Sequence, residues 1–533
     1  MESVKVLKVL VVTGLMAENV VKESLSKSDA DSEVYALPVP VASLMSPEFI
    51  VKMLEKKDLS KVGLILIPGL ITGDALSIEK RTGIKTRKGP KNAADLPVIL
   101  KSIGKTELST VLPADELVSK ALLQEAERTL HMIERESMKL MARKGTLAVG
   151  FGEAKVLIGS GLPMRVLAEI VDASILPDDE IQRMARHLEA SGADIIDIGM
   201  VAGGGHPEDS ARAVKAVKRC APKPVSIDTS DPAEIGAAVD SGVDLILSVN
   251  AENMEEVAKF ATKIPTVVTS AGRNHRVPDD AKDRTNQLNR NIRRAKSLGF
   301  SKIIADPILN PLMTANLAES IFAYARFRKT DPTIPLLFGS GNVTELMDAD
   351  SIGANLLLAG LAAEVGANIL LTTEASVKTR GSVREIARAA KMVALARARR
   401  SAPEDLGIDL LVMKEKRWRE EPPRIHRKIK RISTSTSQEL FQDPRGSFKV
   451  ALDRQRNELI LFHYPRGQIK PDLMINGVSP DILVSAAIKN NLISKLQHAY
   501  YLGRELEKAR IALDTGKSYL QDFELLFGRK SNK

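Results

Sequence analysis

The chain has 533 residues, a formal net charge of +10 and one cysteine, Cys220. That length exceeds an ordinary domain and predicts about three. A lone cysteine excludes an internal disulfide or a thiolate metal cage, and no uninterrupted apolar run reaches membrane-spanning length. The start, MESVKVLKVLVVTG, has a short apolar stretch broken by lysines, which is a first strand and not a cleavable signal, so a cytoplasmic location is expected.

Residues 1–112 alternate strand and helix signals: VKVLKVLVVTG, an amphipathic stretch through Lys27, SEVYALPV and VGLILIPG. They predict an open α/β domain. Gly14, Gly69 and Gly73 bring backbone near a ligand in such folds, but neither GxxxxGK[ST] nor GxGxxG is present. The stretch from Lys85 to Asp95 reads as a polar loop, through turn chemistry first and anion binding second. From Ala114 to Arg143, apolar residues recur at helical spacing, which predicts a connecting helix over 113–145 that stops at Gly145. LAVGFGEAKVLIGSGLP then reads as a hairpin closing one end of a barrel.

Residues 146–402 repeat an apolar strand, a polar residue at its carboxyl end and a helix, eight times over. The strands are read at 164–171, 194–198, 224–227, 243–249, 264–269, 302–305, 334–339 and 367–372. This is the cadence of a (β/α)8 barrel, whose chemistry sits at the carboxyl ends of its strands. Asp172, Asp197, Asp228, Asn250, Arg273, Asp306, Asn342 and Glu374 fall at or just past those ends. Any one of them can simply cap the next helix; as a ring they predict a polar pocket.

Much of the positive charge lies in KEKRWREEPPRIHRKIKR (Lys414 to Arg431), inside a basic linker expected at 403–436. Two prolines and a single aromatic make it a solvated connector rather than a nucleic-acid surface, and no nucleic-acid or membrane partner is expected. Residues 437–533 change pattern: GSFKVALD and NELILFHYP read as paired strands, followed by helices near 481–489 and 492–513, a small α+β domain. The seven histidines are scattered without HExxH or a close pair, so no metal site is expected. His498 reads as a packed or surface histidine.

Several strand-end strings carry a family resemblance over about 240 residues, Pro163 to Arg400. SGADIIDIG (191–199) and PVSIDTSDPAEIGAAVDSGVDLI (224–246) resemble the second to fourth strands of the pterin-binding barrels, the group of dihydropteroate synthase and the methyltetrahydrofolate:corrinoid methyltransferases. SVNAEN (248–253), ADPILNPL (305–312) and GSGNVTEL (339–346) are more similar to the methyltransferase versions. Where the synthases carry a glycine-rich loop, Ser-Arg-Lys and Arg-x-His, this chain has Ile308-Leu309-Asn310, Ser340-Gly341-Asn342 and LTTEAS (371–376). The terminal string HAYYLGRELEKARIALDTGKSYLQDFELL resembles a domain appended to archaeal folate- and methanopterin-related proteins.

The resemblance implies a reduced pterin, tetrahydromethanopterin or tetrahydrofolate, bound at the carboxyl face. A pterin's pyrimidinone edge is a guanidine-like row of N–H donors, and a facing carboxylate accepts from it in pairs. Asp228 and Asp306 take that role by resemblance, with Asn250 or Ser248 along the same edge, Asp197 at the second strand end, and Glu169 and Asp172 as supporting carboxylates. Asn342 occupies the family position that hydrogen-bonds N5, the catalytic one. Arg273, His275 and Arg276 on the fifth loop are placed for an anionic tail, and Gly203 to Gly205 for a second loop over the pocket. The implied reaction is N5-methyl transfer to an acceptor such as a separate corrinoid protein, since no Asp-x-His-x-x-Gly string is present. A synthase-like joining of pterin to arylamine and a non-catalytic pterin-binding protein are the alternatives. A homodimer is expected by analogy.

Overall fold

A computed structural model describes residues 8–91, 93–139, 145–159, 161–415 and 442–525. Most of the basic linker therefore lies outside the described residues. The chain divides into two compact units, Met1–Pro423 and Arg424–Lys533.

The first unit opens with a parallel sheet of β1 (Lys8–Gly14), β2 (Ser32–Leu37), β3 (Val62–Ile67) and β4 (Thr86–Lys88), in the order β2-β1-β3-β4. Both faces of its central strands are apolar. Val9, Val11, Leu64 and Leu66 pack under Val21, Leu96 and Ile99, while Leu10, Val12, Ile65 and Ile67 pack under Ile50, Leu54 and Ile78. This is the doubly covered pattern of a parallel sheet. β4 puts a short strand into residues 85–95, where a polar loop was expected. Thr86 and Lys88 are buried in alternation, the Lys88 ammonium donates to the Ile71 carbonyl at 2.6 Å, and Arg87 pairs with Glu79. These cations are already engaged.

The helix Ala114–Lys139 leads to the barrel. Its Ala126 packs on Met392, Leu395 and Ala396 of the helix Ser382–Arg399, and Glu134 grips Arg165 with two parallel bonds of 2.5 and 2.8 Å. The hairpin follows, with β5 (Leu147–Val149) antiparallel to β6 (Val156–Ile158).

The barrel strands are β7 (Arg165–Ile170), β8 (Ile195–Gly199), β9 (Val225–Asp228), β10 (Leu245–Val249), β11 (Thr266–Thr269), β12 (Ile303–Asp306), β13 (Leu337–Gly339) and β14 (Ile369–Thr373). They form one parallel sheet, with β14 beside β7 and a parallel bridge from Ala305 to Leu336 joining β12 to β13, so the sheet closes. Alternate residues sort cleanly. Leu167, Ile195, Leu245, Val267, Ile304, Leu337 and Ile369 point inward, where Leu147, Val149 and Ile158 of the hairpin plug the floor. Val166, Ile196, Ile227, Ile246 and Val268 point outward against the helices. One step further along, the inward positions of β7, β8, β9, β11, β12 and β13 become polar or glycine, while Leu247 and Leu371 stay apolar, and this builds the mouth.

In the second unit β15 (Ser447–Asp453), β16 (Glu458–Tyr464) and β17 (Leu473–Gly477) form an antiparallel meander. Phe448, Val450, Leu459 and Leu461 bury against Leu483, Leu502 and Leu506 of the helices Pro480–Lys489 and Leu496–Thr515. The sequence reading found two of these strands. β17 escaped it because Leu473 and Met474 are exposed on an edge strand, which leaves no alternation to detect.

Candidate active site at the carboxyl end of the barrel

Glu169, Asp197, Asp228 and Asp306 all occupy inward positions on β7, β8, β9 and β12. Among the described residues no lysine or arginine forms an ion pair with any of them. Glu169, Asp197 and Asp228 offer oxygens that lie within 4.8 Å of one another. Burial raises all three acids, and their mutual repulsion adds to it for Glu169 and Asp197; Glu169 is pushed up to about 7. Carboxyls this close, with no cation between them, share a proton near neutrality. The same oxygen-only trio is also the one group that can gather a hard divalent cation among the described residues.

Each member has a different environment. Asp197 is sealed from solvent; one of its oxygens accepts from the Ser226 hydroxyl at 2.5 Å and the other has no hydrogen-bond partner. Asp228 accepts only a long bond of 3.4 Å from the Ser248 hydroxyl. Glu169 reaches over β8 because position 199 is glycine: a Cβ there would come within 2.1 Å of its Oε1.

Asp306 is held more firmly. Its Oδ1 accepts from the Tyr324 hydroxyl and from the Ile308 amide, both at 2.7 Å, which leaves Oδ2 for a ligand. Burial raises its pKa to about 6 in spite of these bonds. The turn that supplies the Ile308 amide is strained, because this β-branched residue sits at φ +66°. Arg284, 1% exposed, braces that turn by donating to the carbonyls of Pro278 and Ile308 and to Asn310 Oδ1.

Asn342 lies across the mouth. Its Nδ2 donates to the Leu309 carbonyl at 2.9 Å, and a carbonyl can only accept, so the amide is oriented with Oδ1 left over. Gly339 clears the space, since a Cβ there would sit 3.0 Å from Nδ2. Asn250 is buried, and its carbonyl is spent on the amides of Glu252 and Asn253, so it faces the pocket as a donor. Its Nδ2 lies 3.5 Å from His275 Nδ1. The fifth loop thus brings His275 to the pocket's rim, with Arg273 exposed beside it.

Two expected members stand apart. Glu374 turns away to accept from the Val383 amide and pairs with His187 at 3.0 Å, the capping role open to any strand-end acid. The Gly203–Gly205 loop is tied down by bonds from the Gly205 and His206 amides to Asp231 and Glu234.

The pterin binding enzyme family matches residues 171–372. The chain belongs to the pterin-binding barrel family. A family of unknown function, DUF6513, matches residues 7–91, and PterinBD-DUF4346 matches 442–522. An uncharacterized protein of Methanocaldococcus jannaschii is 36% identical over 534 residues, covering 98% of this chain and 99% of that one. Similar solved structures include dihydropteroate synthase of Coxiella burnetii in complex with pteroic acid (22% identical, 44% of this chain and 94% of that one, TM-score 0.37). Another is the Yersinia pestis enzyme with a pterine-sulfa conjugate (20% identical, 47% and 100%, TM-score 0.38).

The residues that sequence reasoning missed in this pterin-binding barrel are Tyr324 and Arg284. Tyr324 lies on the apolar face of the helix Leu317–Thr330 and reads as core. Arg284 did carry a signal: the buried positions of its helix are 281, 284, 285, 288, 291, 292 and 295, so an arginine stands where helical spacing calls for an apolar residue.

Proposed function

We propose that the protein binds a reduced pterin, of the tetrahydromethanopterin or tetrahydrofolate type, in the mouth of the barrel and transfers its N5-methyl group to an acceptor such as a separate corrinoid protein. The observation that carries this reading is the convergence of Asp228, Asp306 and the free Oδ1 of Asn342 on one polar mouth with no paired cation. Asp228 and the open oxygen of Asp306 accept the N–H row of the pyrimidinone edge, and a ligand bearing those donors supplies the partners that the carboxylates lack. Asn250 adds a donor, and Arg273 and His275 meet an anionic tail.

In the transfer, the N5–methyl bond breaks as the methyl carbon bonds to the nucleophilic acceptor, and N5 keeps the bonding pair. Protonation of N5 makes it the better leaving group. Asn342 does not titrate, so it serves by accepting from the N5–H through Oδ1 and orienting that proton. Glu169, near neutrality in its acid balance, supplies a proton store one residue layer away.

The test is calorimetric titration with methyl-tetrahydromethanopterin and methyl-tetrahydrofolate, using the natural protein and an Asp228→Asn, Asp306→Asn double variant. Each charged acceptor is worth about 1.5–3 kcal/mol, so the double variant should bind at least about 100-fold more weakly. Adding reduced corrinoid should then convert the bound cofactor to its demethylated form. Pyrophosphate release from a pterin pyrophosphate and an arylamine would assign the synthase-like reaction instead. Failure to bind either pterin would sink the proposal.

A further inference from the structure

The second unit contains a cavity of about 720 Å³, lined by Phe448, Arg466, Gln468, His498, Tyr500 and Arg504 among others. That volume falls in the range of small-molecule sites. At its base Asp443 is wholly buried and accepts five hydrogen bonds: from the amides of Arg445, Ser494 and Lys495, the Ser494 hydroxyl and His498 Nδ1. Burial alone would raise this carboxyl, but the bonds outweigh it and hold it well below the usual range. An ionised Asp443 fixes His498 with a proton on Nδ1, so Nε2 is the ring atom with bonding capacity to spare.

The rest of the wall has two chemistries. Aromatic rings run along one side, with Phe448 and His498 centroids 5.1 Å apart and Tyr501 6.3 Å beyond. Tyr500, 63% exposed, also lines the cavity. Two guanidinium groups complete the wall. Arg504 lies 5.7 Å over the Tyr501 ring and pairs with Glu505 at 3.3 Å, and Arg466 forms no ion pair among the described residues. Asp443 holds the turn that enters the helix Leu496–Thr515 without help from an aromatic row or from the unpaired Arg466 guanidinium, so that role does not account for them.

We propose that this cavity is a second ligand site, separate from the barrel mouth, for a flat heteroaromatic molecule that carries a phosphate or carboxylate group. The ring lies against Tyr500 and the Phe448–His498 row, His498 Nε2 meets a polar edge, and Arg466 and Arg504 take the anion. Nucleotides and folate-type pterins with acidic tails share this chemistry.

The experiment is calorimetric titration of the full chain carrying Asp228→Asn and Asp306→Asn, so that the barrel site does not contribute. The probes are AMP, folate, adenosine and inorganic phosphate. AMP or folate should bind, and which one binds tells nucleotide from pterin. Adenosine and phosphate, each lacking half of the recognised chemistry, should bind at least about tenfold more weakly than AMP. Arg466→Gln, a change at an exposed residue that leaves the fold intact, should weaken the AMP or folate complex at least about tenfold. No binding of AMP or folate at millimolar concentration would overturn the proposal, as would phosphate binding as well as AMP, or indifference to Arg466→Gln.

Discussion

The two ends of the barrel are built from the same eight strands, and they treat charge in opposite ways. At the floor the interior is a plug of leucine, isoleucine and valine, and Arg165 at the start of β7 is engaged by Glu134 and the Leu157 carbonyl. At the mouth, four residues further along β7, Glu169 stands beside two more acids with no countercharge. Unpaired buried charge lowers stability, so an arrangement that serves folding alone would not keep it. The floor spends its residues on cohesion and the mouth holds its carboxylates ready for a ligand.

The comparison breaks most sharply if a floor residue is hollowed out. Leu167→Ala removes a wholly buried side chain from the interior plug and should cost about 2–5 kcal/mol. Amide exchange in β7 and β14 should accelerate accordingly, while pterin affinity stays within about twofold at temperatures where the barrel remains folded. A large loss of affinity with little change in exchange would mean that floor and mouth do not divide the work in this way.

The same contrast explains what could be read from the sequence. The floor and the outer faces of the strands obey a period of two, so all eight barrel strands were legible to within a few residues. Strands without an apolar face were not: Thr86–Lys88 is polar, and Leu473–Gly477 is an exposed edge. At the mouth, Asp228 and Asp306 were legible as strand-end acids, because strand register decides which way they point. What register does not carry is which acid finds a local partner. Glu374 and Asp197 look alike in sequence, yet one caps a helix and the other is sealed in the interior. Tyr324, eighteen residues from Asp306, is joined to it only by the packing of a helix that otherwise reads as core.

A smaller effect sharpens the account of the mouth. Glu169 titrates at about 7 in the folded chain, above its ordinary 4.5. Between those values the native state holds a proton that the unfolded chain has lost, so stability falls as pH rises through this window; below it both states are protonated and the cost vanishes. Glu169→Gln never ionises. It should leave barrel stability nearly unchanged at pH 4 and raise it by about 3 kcal/mol at pH 8, read from the exchange of β7 and β8 amides. A gain of equal size at both pH values would show that shape and not charge is responsible.

The smallest predicted effect isolates how Asp306 is aimed. The Tyr324 hydroxyl favours the ionised carboxylate, and Arg284 secures the turn whose amide does the same. Tyr324→Phe removes one of these two donors and adds no bulk, so Asp306 should titrate above its present value of about 6. Pterin binding, which uses the ionised form, should strengthen with rising pH in both proteins, but with its midpoint displaced upward in the variant. At pH 7 that displacement, together with the lost positioning bond of about 1 kcal/mol, should weaken binding roughly tenfold. Above both midpoints only the positioning loss should remain, and the gap should narrow. Affinities that fall equally at pH 6 and pH 9 would reduce Tyr324 to a packing residue, whereas a gap that narrows with rising pH would show that the carboxylate at the mouth is tuned from the helix behind it.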